Sequence, residues 1–340
     1  MVFLGGHPAM YWPPSVMCAV WKCVRALLCL VFIIAVHLGN EVIFYQLSPL
    51  TIQGTVNSCN ATQTILSPSV PETVCKECLP ELLPFITAMC NKSLLEGHLP
   101  SSQKSAFISP VIKKSGLDPD DVRSYRPISN LTYMSKIIER MVYKQLTDYL
   151  GKHSLLPEHQ SGFRAHNSTE TAVLKIMSDT LSAADHGNVT LLGLLDMSAA
   201  FDTIDHSILL DRLGTSFGIK GTALAWLRSF LTGRKQRVFF NGVSSSSVCI
   251  TTSVPQGSVL GPLLFLLYSA DLPVISDKHG LGVHCYADDG QIYVFEKAGH
   301  ADGMVALVSA CIEEIDSRMT TNRLKLNSDK TQFIWLGSRQ

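Results

Sequence analysis

Tyr286-Ala287-Asp288-Asp289 stands between two apolar, strand-like runs, residues 281–285 and 292–295. The pattern reads as a hairpin whose tip carries two adjacent carboxylates. Such a pair is costly to place beside buried strands, because like charges repel and loss of water disfavours both. A divalent cation removes that cost. The plain alternative is a turn, since Asp289-Gly290 is a good hairpin signal. A turn accounts for one Asp and the Gly and leaves the second Asp unexplained.

A second acidic position lies upstream. Val189–Leu195 reads as a buried strand and runs into Asp196. A carboxylate at the end of an apolar strand can face one at a neighbouring hairpin tip. Asp196, Asp288 and Asp289 together could hold two Mg²⁺ ions through oxygen ligands, with Mn²⁺ as the substitute. Two such ions, about 3.5–4 Å apart, clamp the attacking and leaving oxygens of a phosphoryl transfer.

Further blocks are collinear with these. They are Ser124-Tyr-Arg-Pro-Ile-Ser-Asn130, Gln160-Ser-Gly-Phe-Arg164 with Ser168-Thr-Glu170, Leu195-Asp-Met-Ser-Ala-Ala-Phe-Asp-Thr203, Val254-Pro-Gln-Gly-Ser-Val-Leu-Gly-Pro262 and Leu326-Asn-Ser-Asp-Lys-Thr331. With them the chain resembles the reverse transcriptases of LINE-type (non-LTR) retrotransposons, from about Val74 to its last residue.

The resemblance implies an α+β fold with right-hand fingers and palm, the palm a split βαβ-type antiparallel sheet with helices on one face. It implies an RNA-directed DNA polymerase that adds deoxynucleotides to a primer 3′-hydroxyl. The partners would be an RNA template, a DNA primer and deoxynucleoside triphosphates; no protein partner is indicated. Asp196 would bridge both metals, with Asp288 as its principal partner and Asp289 as the second carboxylate of the pair. Phe201 would pack beneath the incoming sugar and exclude a 2′-hydroxyl. Gln256 and Gly257 would back the nascent base pair. Lys330 would give a proton to departing pyrophosphate. Lys113 and Arg126, with Lys114 and Arg123, would hold triphosphate or template, and Arg164 would touch template or primer. Asp202 and Asp205 read as a helix cap or surface carboxylates. Ser253 and Gly290 depart from the family, which usually has Gly and Thr there.

At 340 residues with a formal net charge of zero, the chain has room for about two domains and no global basic field. Basic residues do gather between Lys104 and Lys144, where a local surface can bind phosphates. The ten cysteines are irregularly spaced and suit a reducing compartment. Cys75-Lys-Glu-Cys78 reads as two positions on one helix, since it lacks a second pair at zinc spacing.

Residues 1–71 read as an atypical apolar segment followed by a Ser/Thr/Pro linker at 51–71, packing poorly on the rest. Residues 72–185 read as fingers with N-terminal helices and 186–340 as palm. The stretch 16–38 is signal-anchor-like, but its uninterrupted apolar run, 26–36, is shorter than the roughly 20 residues a membrane span needs. The expected location is nucleus or cytoplasm, with membrane contact by this stretch as the alternative. Helical periodicity marks 133–150, 170–184, 207–213, 222–231 and 305–319, and Val254–Ser258 is expected to open a further helix. Residues 237–241 and 247–252 read as an antiparallel pair, and Trp335-Leu336-Gly337 as part of a core strand. The sequence stops ten residues past Lys330, so a missing thumb is expected, with weak extension by the chain alone. An inert, truncated remnant that binds nucleic acid weakly, or a membrane-anchored protein retaining the domain, are the competing readings.

Overall fold

The structure, a computed structural model, describes residues 44–58, 77–198 and 201–337. The stretch 16–38 and Cys75 lie outside these residues. Helices α1 (Pro49–Ser58) and α2 (Leu79–Leu95) come first, then strands β1 (Ser105–Ile112) and β2 (Tyr125–Asn130). Helices α3 (Tyr133–Lys152) and α4 (Thr169–Asp185) lead to strand β3 (Val189–Leu195). Helices α5 (His206–Thr215) and α6 (Gly221–Leu231) precede β4 (Lys235–Phe240), β5 (Val243–Ser244) and β6 (Val248–Cys249). Then come α7 (Gly261–Tyr268), α8 (Asp271–Lys278), β7 (Gly282–Tyr286), β8 (Asp289–Glu296), α9 (Ala301–Thr321) and β9 (Gln332–Leu336).

The helices start where the sequence supplies caps. Thr132 accepts from Ser135 N to open α3, and Asp205 accepts from Ser207 N and Ile208 N to open α5. Ser168 and Thr171 form a reciprocal capping box at α4. The Ser168-Thr-Glu170 block is therefore, at least in part, a helix start.

One sheet runs β7-β8-β3-β9 and is antiparallel throughout. Its central strand β3 is apolar at nearly every position because both faces are covered. Leu191 and Leu195 point into the main core with Val283 and Ile292. Leu192 joins Tyr293 and Ile176 of α4 in a smaller cluster. Side chains alternate along a strand, so these clusters lie on opposite faces. The expectation of helices on one face only is corrected by α4, whose Ile176 is anchored on the other. Strand β9 pairs with β3, but Phe333 and Trp335 are about half exposed, at 51% and 49%. It is an edge strand and not the core strand expected for Trp335.

The other sheet runs β2-β1-β4-β5, with β6 on β4. The β4–β5 hairpin turns at Asn241-Gly242, tighter than the expected 242–246 turn. Strand β4 joins β1 in parallel over Ser105–Ile108, which the sequence reading did not foresee. That pairing stops short of Pro110, which has no N–H for a ladder. The sheet joins strands from both sides of the boundary expected at residue 185.

Residues 44–58 belong to the core. Ile52 and Val56 are fully buried, and Phe44 meets Trp226 edge-on at 6.3 Å. Asn91 exchanges two hydrogen bonds with the Leu47 backbone, at 2.7 and 3.0 Å. The linker expected from residue 51 is thus helical and packed as far as Ser58, because Ile52 and Val56 fall on one face at i, i+4 spacing. Val56→Ala is expected to cost about 2 kcal/mol in chemical unfolding, where a detached segment would cost nothing.

Among the described residues no helix is long and apolar enough to cross a membrane. Cys78, Cys90, Cys249, Cys285 and Cys311 are free thiols.

Candidate active site

Register places the acidic residues. Tyr286 pairs with Asp289 to close the β7–β8 hairpin, which leaves Ala287 and Asp288 as its tip. Ala287 takes a left-handed φ of +56°, a conformation that costs a non-glycine residue about 1–3 kcal/mol. The turn is therefore two residues earlier than the Asp289-Gly290 signal suggested. Gly290 lies inside β8, buried, opposite both Cys285 and Leu195. Asp196 follows Leu195 directly, so it stands one step beyond the last β3–β8 pair, beside Asp289.

The loop after α9 lies against Asp196. Asn327 N donates to Asp196 O at 2.8 Å, and Asn327 Nδ2 donates to Asp196 Oδ2 at 3.0 Å. Lys330 Nζ reaches the same Oδ2 at 3.3 Å. Met197 and Leu326 form an antiparallel bridge between the two segments. Lys330 thus lies on the Asp196 carboxylate, and Asn327 is a further partner of it that the motif did not assign.

Asp289 is exposed overall, yet its carboxyl is held above the usual range. Partial loss of water is the main cause, followed by repulsion from Asp288 and Asp196, with Lys330 opposing. Asp289 therefore senses both of the other carboxylates across the strand ends. They do not close into a cage: among the described residues no group of three His, Cys, Asp or Glu side chains is arranged to hold a metal ion. The donor set, three carboxylates at neighbouring strand ends, still has the oxygen chemistry that suits Mg²⁺ or Mn²⁺.

Phe201 is half-buried and stacks on Phe265 of α7, with centroids 5.0 Å apart. Its carbonyl accepts from Val254 N at 3.1 Å, tying it to the segment that carries Gln256 and Gly257. That segment is a loop, and the helix expected from Val254 begins at Gly261. Gly257 has φ +114°, and a Cβ there would lie 2.8 Å from Ser129 O. Ser129 N donates to Gln256 O at 2.7 Å. The loop is thereby seated on β2.

The same contact orients the basic residues. Ile128 Cγ2 would lie 3.7 Å from a Cβ at Gly257. Arg126, two residues before Ile128, shares its face by strand alternation. Val111 is paired with Arg126, and Lys113 follows two residues after Val111. Both Arg126 and Lys113 are exposed, and Lys113 Nζ donates to Arg123 O at 2.8 Å. Arg164 NH1 donates to the Pro157 and Gln160 carbonyls at 2.7 and 3.1 Å, so it braces its own loop.

Glu139 was missed as a supporting residue. It is fully buried on α3 and accepts from Ser135 Oγ on Oε1 at 2.9 Å. Its Oε2 accepts from Val259 N and Leu260 N, at 2.7 and 3.3 Å, just before α7. The signal was present in the sequence: an acidic residue interrupts the inward apolar face between Ile138 and Val142.

His284 on β7 lies 2.9 Å from Ser161 Oγ through Nε2. Burial lowers its pKa, and His159 and Lys175 lower it further, while Asp179 works the other way. The folded chain therefore takes up this proton less readily than the unfolded chain. Stability supplied by neutral His284 is present above the unfolded value, about 6.5, and is lost as pH falls below it. Thermal melts from pH 7.5 to 5.5 should show a steeper loss of Tm in the wild type than in His284→Gln.

The family model described as "Reverse transcriptase (RNA-dependent DNA polymerase)" matches residues 112–339. The chain is 30% identical over 267 residues to the RNA-directed DNA polymerase from mobile element jockey of Drosophila melanogaster, covering 76% of this chain and 28% of that protein. It is 35% identical over 193 residues to the probable RNA-directed DNA polymerase from transposon X-element of the same fly, covering 56% and 20%. A third relative, the probable polymerase from transposon BS, is 31% identical over 252 residues, with 72% and 27% covered. The chain spans between a fifth and just over a quarter of the length of these curated relatives. With most of its length matched and its acidic strand ends side by side, the chain belongs to the reverse transcriptase family, as a domain of the kind carried by LINE-like, non-LTR mobile elements.

Proposed function

We propose that the chain acts as the fingers and palm of an RNA-directed DNA polymerase. The observation that carries this is the meeting of Asp196 with Asp289 across adjacent strand ends, with Lys330 on the Asp196 carboxylate. In this reading the β7-β8-β3-β9 sheet is the palm and the β1–β2 hairpin belongs to the fingers. Asp196, Asp288 and Asp289 would hold a pair of divalent cations, which when bound supply charge neutralisation at the attacking 3′-oxygen and the leaving pyrophosphate.

The chain's own groups supply the rest. Arg126 and Lys113, on the hairpin face turned to Gly257, grip the triphosphate or the template backbone. Gln256 and Gly257 present polar and open backbone to the nascent base pair. Phe201, stacked on Phe265, narrows the sugar pocket beside Asp196 and rejects a 2′-hydroxyl by exclusion. Lys330, released from Asp196, hands a proton to the departing pyrophosphate oxygen. Such a chain works wherever template RNA and deoxynucleotides meet, in nucleus or cytoplasm.

The test is extension of a DNA primer on an RNA template by the purified chain, with and without Mg²⁺. Extension that needs Mg²⁺ and accepts ribonucleotides in Phe201→Val supports the reading. Mg²⁺-independent extension, or none above background at any Mg²⁺ or Mn²⁺ level, would overturn it.

A further inference from the structure

The Gln160-Ser-Gly-Phe-Arg164 block has no chemistry in the mechanism, yet it sits on the catalytic hairpin. Strand β7 is an edge of its sheet, and residues 159–161 cover that edge. Cys285 N donates to His159 O at 2.7 Å, and Ser161 N donates to Cys285 O at 2.8 Å. Gln160 is bridged to Cys285 in parallel, and its side chain is buried beneath the hairpin tip.

There the Gln160 amide meets the one strained residue of the tip. Ala287 N donates to Gln160 Oε1 at 2.9 Å, and Gln160 Nε2 donates to Ala287 O at 3.1 Å. Gly162 N donates to the same Oε1 at 2.8 Å. A Cβ at Gly162 would lie 2.1 Å from Ala287 N, so only glycine lets the loop come this close. A primary amide is suited to the place. It offers a donor and an acceptor in one plane, as a peptide group does. A carboxylate would lose the donor and add charge beside Asp288 and Asp289, and Asn is one methylene too short.

We infer that Gln160 is a positioning residue for the metal-binding carboxylates: its amide, with Gly162, locks Ala287 in the left-handed conformation that aims Asp288 and Asp289 at Asp196. The inference rests on the polymerase reading for its kinetic arm, but its geometry is independent of it. Groups that orient ligands from behind are commonly worth about 10–100-fold in metal affinity or activity.

The experiment compares wild type, Gln160→Met, Gln160→Glu and Asp288→Asn in the full chain. The readouts are hydrogen exchange at the Ala287 amide, Mn²⁺ binding by electron paramagnetic resonance, and primer extension against Mg²⁺ concentration. Gln160→Met is expected to lose protection at Ala287 while β3 keeps it. Its Mn²⁺ affinity should fall roughly tenfold or more, and kcat on the order of 10²-fold, with KM for deoxynucleotides little changed. Gln160→Glu keeps the side-chain size and the acceptor, so it serves if Gln160→Met does not fold; it should lose Mn²⁺ affinity in the same direction. A purely structural role would lower Tm and leave Mn²⁺ affinity and the Mg²⁺ requirement of the folded fraction unchanged, and that result overturns the inference. If wild type binds no Mn²⁺ and extends nothing, just like Asp288→Asn, the polymerase reading fails. The exchange arm then decides the clamp by itself, with retained Ala287 protection in Gln160→Met sinking it and lost protection supporting it.

Discussion

Glu139→Ala is expected to destabilise the chain by about 3–5 kcal/mol, because it leaves Val259 N, Leu260 N and the Ser135 hydroxyl without their buried acceptor, at about 1–3 kcal/mol for each unsatisfied group. The Glu139 carboxylate is fully buried, which pushes its pKa up, while the charge of Arg234 opposes the shift. Arg234 is itself 1% exposed; it lies over the Phe230 ring at 4.8 Å and donates through NH1 to Phe230 O. Its Nε and NH2 have no hydrogen-bond partner among the described residues. Losing Glu139 would leave this guanidinium uncompensated and would also strip Val259 N and Leu260 N of their acceptor. Urea unfolding should show the loss as a shift of midpoint at constant slope. Replacing Glu139 and Arg234 together by methionine should recover only the part of the loss that comes from the uncompensated guanidinium, because Val259 N and Leu260 N still lack an acceptor. It should not recover the placement of Gln256 and Gly257, so KM for deoxynucleotides should stay raised in the double variant. A double variant as unstable as Glu139→Ala would place the whole cost in the stripped amides instead.

Asp288→Asn is expected to reduce primer extension by about 10²–10³-fold or more, the scale for removing one preorganised electrostatic group at a reacting phosphate. Its effect on folding should have the opposite sign. Asp288 helps to raise the Asp289 pKa, so removing its charge relieves repulsion in the metal-free chain. Without Mg²⁺ the variant should melt at or slightly above the wild-type temperature. With Mg²⁺ the wild type should gain stability by mass action, about 2.7 kcal/mol at a hundredfold excess over Kd, and the variant should gain less. Undiminished extension by Asp288→Asn, or an equal response of both proteins to Mg²⁺, would remove Asp288 from the metal-binding set.

Local patterns were the legible part of this chain. The helices at 133–152, 169–185 and 301–321 carry strong 3.6-residue periodicity and, for the first two, side-chain caps, and they formed within a few residues of expectation. Asp196 and Asp289 were legible as strand ends because apolar runs frame them. What the sequence hid was non-local. Nothing near Ser105 announces a parallel partner at Lys235, since parallel pairing leaves no turn signal. The packing of Ile52 and Val56 was masked by the Ser- and Thr-rich composition around them. The turn moved from Asp289-Gly290 to Ala287-Asp288 because Gln160, over a hundred residues upstream, holds Ala287 where glycine would ordinarily be needed. In the candidate site the charged groups were readable by type, whereas the partners of their supports were not: Glu139 showed only as a break in an apolar face, and neither its Val259 and Leu260 partners nor the hold of Asn327 on Asp196 is encoded in spacing.

The parallel seam between β1 and β4 has a consequence for how a ribosome delivers this protein. The β1–β2 hairpin is complete once Asn130 has emerged, but the strand that covers its open side begins at Lys235. At 5–20 residues per second, the nascent chain waits roughly 5–20 s with that side bare. An uncovered strand is a template for pairing with any neighbouring chain, including another copy on the same polysome. Pro110 and Pro127 lie directly opposite one another in the hairpin, and neither offers an amide hydrogen. They blunt the unguarded strands at their midpoint during the interval in which the chain is most exposed to self-association.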